Sequence, residues 1–140
     1  MCMYLIGNKK PQVASGPITV YKILTAENTG PYYKNHTYSP GLNLPDETPE
    51  TDVTATMASK DGIDMVDKPI YVLGAGYLFA FKEKRYAMEH LVDLINFDDY
   101  YNADNVRVEE MEVPAGVEYY ESGNQIAARA LEWKCKEAYV

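Results

Sequence analysis

The sequence predicts an α+β domain, a mostly antiparallel sheet of about six or seven short strands with one main helix over residues 82–96. Three observations carry this. Short runs rich in β-branched and aromatic residues recur between Gly, Pro, Asn and Asp turn signals. One segment, Lys82 to Asn96, spaces Ala87, Leu91, Leu94 and Ile95 at helical period. The length of 140 residues suits a single domain, 1–140, able to bury a real core.

Residues 1–17 read as an extended lead-in, with turn signals at Lys9-Lys10-Pro11 and Ser15-Gly16-Pro17. Ile18 to Leu24 is the first clear strand. Gly30-Pro31 opens a loop through Tyr32, Tyr33, Lys34, Asn35 and His36, and Thr37-Tyr38 fits a short strand before Pro40-Gly41. Residues 45–52 hold two prolines and four acids, the composition of an exposed loop. Val53–Met57, Ile70–Leu73 and Tyr77–Phe81 read as strands, the last two separated by Gly74-Ala75-Gly76.

Lys82, Glu83, Lys84 and Arg85 form the exposed first turn of the helix, where the lysines oppose the helix dipole. Phe97 to Asn105 is a polar loop. Val106 to Val113 is a strand whose apolar parity changes between Val108 and Met111, which predicts a β-bulge. Val117 to Tyr120 continues the sheet after Pro114-Ala115-Gly116. Residues 126–135 fit two templates, since their alanines favour helix while Leu131, Trp133 and Cys135 alternate as in a strand.

The formal charge of −8 excludes bulk attraction to DNA or an anionic membrane. Residues 1–44 depart from this, with four lysines against one glutamate. No apolar run approaches the roughly 20 residues of a membrane span. The start lacks the basic and apolar regions of a signal peptide, and two cysteines cannot build a disulfide framework. A reducing cytoplasm is the expected compartment.

No metal motif is present, and no cofactor is called for: His36 and His90 lie far apart, with no H-E-x-x-H or C-x-x-C spacing. Cys2 would become an N-terminal thiol if Met1 were removed, whereas Cys135 suits packing. Gly74-Ala75-Gly76 lacks the third glycine and the following helix of a dinucleotide fingerprint. The acids Asp98-Asp99 and Glu109-Glu110-Glu112 would serve acid–base chemistry only if one were buried. No catalytic residue is assigned.

Tyrosine dominates the aromatics, 13 Tyr against 3 Phe and 1 Trp, with adjacent pairs at 32–33, 100–101 and 119–120. A tyrosine offers a flat apolar face and a polar tip, suited to bases, sugars or protein partners. The candidate binding residues are therefore Tyr32, Tyr33, Tyr100, Tyr101, Tyr119 and Tyr120 for stacking. Lys22, Lys34, Arg85, Arg107 and Arg129 are the candidates for phosphate.

Several segments together carry a resemblance. They are the Met1-Cys2-Met3-Tyr4-Leu5 start, the Val20-Tyr21-Lys22 strand, Gly30-Pro31-Tyr32-Tyr33, Gly76 to Phe81, and Val106 to Gly116 followed by Glu118-Tyr119-Tyr120-Glu121 and Ala127-Ala128. In these the chain resembles a group of small proteins of gut bacteria and their phages. Leu78 stands where that group has a turn histidine, and Gly30-Pro31 where it has Ser-Pro.

The group's element order is similar to a reduced ADP-ribosyltransferase-like fold. In such enzymes a first-strand Arg or His, a middle-strand Ser or Tyr and a Glu near the last strand hold NAD. The resemblance puts Lys22, Phe79 or Phe81, and the neighbourhood of Gln125 at those positions.

It implies a non-catalytic binding module, phage-encoded or bacterial. Such a module sequesters a small anionic or nucleotide-like signal or blocks a host defence protein. The alternatives are an ADP-ribosyltransferase-like enzyme acting on NAD, and a structural or protein-interaction protein. Exposed sheet edges allow homo-oligomers.

Overall fold

The computed structural model describes residues 3–6, 10–31, 36–45, 51–56, 69–73 and 76–134, the segments 3–6, 51–56 and 69–73 through their backbone alone. The α+β class holds: the described residues form one helix and two sheets in which every paired strand is antiparallel. Eleven strands are described, so the expected six or seven is too low. The difference comes from two-, three- and four-residue strands whose period-2 signal is too short to read.

The smaller sheet has order β1-β6-β5, from Met3–Ile6, Pro69–Leu73 and Thr51–Thr56. The larger sheet has eight strands. They are β2 (Gln12–Val13), β3 (Ile18–Thr25), β4 (Gly41–Asn43), β7 (Leu78–Phe81), β8 (Val106–Val113), β9 (Glu118–Ser122), β10 (Gln125–Ala128) and β11 (Leu131–Trp133). Their spatial order is β2-β9-β10-β7-β3-β8-β11-β4. Most of the expected 45–52 loop, residues 46–50, lies outside the described residues, and Thr51-Asp52 begins β5.

The central ladder joins β3 to β8 over eight consecutive positions, from Ile18 opposite Val113 to Thr25 opposite Val106. No register shift interrupts it, so the bulge expected in β8 is absent. The parity change has another cause. Val106 and Val108 pack with Ile23, Phe81, Ala87 and Leu94 beneath the helix, whereas Met111 and Val113 join Val20, Leu24, Leu131 and Trp133 on the opposite core. The covering layer changes face partway along an unbroken strand.

Helix α1 (Lys84–Phe97) begins two residues later than expected and ends one later. Glu83 caps it without a side-chain hydrogen bond, and its first turn holds no acid. Its stability therefore comes from burying Ala87 and Leu94, with Leu91 and Ile95 beside them, on the sheet.

Residues 126–135 resolve as β10 and β11 up to Trp133, with Cys135 outside the described residues. Ile126, Ala127 and Ala128 are all buried, because β10 contributes to cores on both of its faces. Tertiary burial overrides the helix propensity of alanine there. Among the described residues, no helix is long and apolar enough to cross a membrane.

Candidate functional site

The candidate site lies where β3 meets β7. These strands pair at one position, Tyr21 opposite Phe81, in contrast to the eight on the other edge of β3. Beside this short junction is a cleft that opens to solvent. Its walls come from five parts of the chain. Strand β3 supplies Lys22 and Ile23; the loop after it supplies Gly30, Pro31, His36 and Tyr38; residues 77–81 form a third wall; His90 of α1 and Gln125 of β10 complete it.

Lys22 follows from strand alternation: it shares a face with Val20 and Leu24, both fully buried. Its ammonium donates to the Phe79 carbonyl at 2.7 Å and lies 5.4 Å from the centroid of the Tyr38 ring. Among the described residues no carboxylate pairs with it. Burial without a counter-charge lowers its pKa to about 8. The same enclosure pushes the Tyr38 phenol well above its ordinary value.

Both histidines line the cleft. His36 meets Tyr38 edge-on, with ring centroids 4.5 Å apart, and His90 lies 5.5 Å from Phe81. Burial holds His90 below its ordinary pKa, opposed by nearby Asp93. No acidic residue lines the cleft among the described residues. In a chain of charge −8, that leaves one enclosed surface with a lysine, two imidazoles and aromatic rings.

Of the eleven residues singled out for binding, Lys22 alone lines the cleft; Tyr32, Tyr33 and Lys34 lie outside the described residues. Four others stand directly behind its walls. Arg107 donates to the Thr25 carbonyl and to Asn28 Oδ1, fixing the turn that leads to Gly30 and Pro31. Asn28 adopts φ of +64° in that turn, a conformation asparagine tolerates better than most residues. Tyr101 is buried and donates its hydroxyl to the Pro31 carbonyl at 2.7 Å. Arg129 donates to the Gly76 carbonyl and lies over the Tyr77 ring, and Tyr120 meets Tyr77 edge-on. Gly76 itself holds φ of +86°, which its missing Cβ permits.

The remaining three lie elsewhere. Arg85 is exposed, with Glu83 and Tyr86 as partners. Tyr100 is exposed, and Tyr119 donates to Gln12 on the β2 edge. The acids in β8 include two in ion pairs, Glu109 with Arg107 and Glu112 with Lys134.

Sequence reasoning missed His36, Tyr38, Tyr77 and His90 as cleft residues. The only available signal was their aromatic or imidazole character, since 54 positions separate His36 from His90. Among the described residues no cluster of His, Cys, Asp or Glu could hold a metal ion. Comparison with known proteins yields no matching family model, curated protein or solved structure.

Proposed function

We propose that this protein is a non-catalytic binding module whose β3–β7 cleft takes up a small anionic, nucleotide-type ligand. The observation that carries the reading is Lys22, an enclosed ammonium beside the Tyr38 ring without a carboxylate partner among the described residues. Such a group is costly to bury unless an anion completes it. Aromatic residues among the cleft walls suit a base or nicotinamide-like ring, while Lys22 favours phosphate.

The setting implied by the resemblance is a bacterial cytoplasm, with the protein carried by the bacterium or its phage. There a module of this kind would sequester a nucleotide signal of bacterial immunity. Obstruction of a host defence protein is the other form this reading takes.

A second reading, an ADP-ribosyltransferase-like enzyme acting on NAD, has one observation in its favour. The positions that the resemblance singled out, Lys22, Phe79 or Phe81, and Gln125, line the same cleft. Binding is the better-supported reading because these side chains do not reproduce the Arg-Ser-Glu or His-Tyr-Glu sets. In particular, Gln125 cannot supply a carboxylate to a developing cation.

Native mass spectrometry with NAD, ADP-ribose derivatives and cyclic di- and trinucleotides tests the proposal. A stoichiometric adduct recovered unchanged is expected. Release of nicotinamide would establish the second reading, and absence of any nucleotide adduct would overturn both.

A further inference from the structure

We propose that Lys22 is a covalent capture residue, forming an imine with a phosphorylated aldehyde that enters the β3–β7 cleft. This rests on the reading of the cleft as an anion-binding site and adds a reaction to it.

An amine nucleophile must be reachable by a ligand and free of the carboxylate that would hold it as an ammonium. Lys22 meets both conditions: it lines a cleft that opens to solvent, and its hydrogen-bond acceptor is the neutral Phe79 carbonyl. Two other lysines differ, Lys82 being paired with Glu121 at 2.9 Å and Lys134 with Glu112 at 3.1 Å. The pKa of about 8 follows from the same enclosure and leaves a sizeable share of amine near neutral pH.

The step balances without an oxidant or reductant. The neutral Lys22 amine attacks the aldehyde carbon, a C–N bond forms, and the carbonyl π pair moves to oxygen. Proton transfer from nitrogen to oxygen gives a carbinolamine. A second proton reaches the hydroxyl, the C–O bond breaks, one water leaves, and the nitrogen lone pair closes the C=N bond. Water at the open mouth of the cleft supplies the second proton and takes it back from the imine nitrogen. The phosphate of the ligand brings the charge that the cleft favours.

Pyridoxal 5′-phosphate is the probe, since it joins an aromatic ring, an aldehyde and a phosphate. The intact protein is incubated with it at pH 7.5, reduced with borohydride and mapped by peptide mass spectrometry. Labelling of Lys22 is expected to exceed that of Lys84, and of Lys134, which Glu112 holds as an ammonium, by about tenfold or more. Its pH profile should reach half-maximum near pH 8.

Lys22→Arg keeps the charge and removes the reactive amine, so it should lose the label at this position. Equal labelling of all three lysines, or an unlabelled Lys22, overturns the imine. If nucleotides still form adducts in that case, the binding reading survives alone; if they do not, both fall. The mapping of the unsubstituted protein decides the matter even if the variant does not fold.

Discussion

The two edges of β3 are built for different work. On one edge it pairs with β8 at eight consecutive positions, with buried apolar residues on both faces. On the other it pairs with β7 at one position, beside the cleft that holds Lys22. A single strand therefore serves as both framework and lip of a site. The alternation that buries Val20 and Leu24 also fixes the direction of Lys22. Stability resides on the ladder edge, and the cleft edge carries a charge that opposes stability.

Damage to the ladder edge should have the largest effect. Leu24 is fully buried, and Leu24→Ala should destabilise the fold by about 3–5 kcal/mol, read from chemical denaturation. A loss below about 1 kcal/mol would mean that the core does not sit there.

The cleft edge should respond with the opposite sign. Lys22 has a folded pKa of about 8 against 10.5 when unfolded. Well below pH 8 both states hold the proton, and the full burial penalty applies, about 3 kcal/mol at most. Between pH 8 and 10.5 the unfolded chain binds a proton that the folded chain has released, so stability rises with pH. Lys22→Met should thus be more stable than the original protein at pH 7, by about 1–3 kcal/mol, with the gap narrowing across that window. Parallel denaturation series from pH 7 to 10.5 would show it; a less stable variant would assign Lys22 a structural role.

Arg107 sharpens the contrast, since it bridges framework and cleft. Arg107→Ala removes the bonds to the Thr25 carbonyl and Asn28, and should cost about 1–2 kcal/mol. Ligand affinity should fall only through the loosened turn, so calorimetry should show a smaller loss than for Lys22→Met.

The smallest effect concerns His90. Burial lowers its pKa below 6.5, so acid favours the unfolded chain and stability declines as pH falls through that value. An NMR titration of the imidazole should give a midpoint below 6.5 that moves upward when an anionic ligand occupies the cleft. An unmoved midpoint would place the ligand elsewhere.

Much of the framework was legible in the residues. Val106–Val113 and the helix emerge at or near their true bounds because each writes a strong period. The supposed bulge in β8 shows where such reading stops: an apolar pattern reports which face is covered, and an exchange of covering layers looks like a change of register. Strand β10 was equivocal because burial on both faces leaves no alternation to read.

The cleft was legible only at Lys22. Its walls depend on β10 lying beside β7 and on α1 packing against β3, β8 and β7, and local sequence does not encode those placements. The tyrosines and arginines identified from composition alone did include Tyr101, Arg107, Tyr120 and Arg129. These hold the walls without lining them.

The proposed role of Lys22, holding an anionic nucleotide-type ligand in the cleft, is open to direct test. The most direct measurement is native mass spectrometry of the original protein and Lys22→Met side by side against the same nucleotide panel. The account predicts a one-to-one adduct with the original protein, weakened at least about tenfold in the folded variant, the scale of one charge-assisted contact. Equal occupancy in both proteins, or none in either, would contradict it.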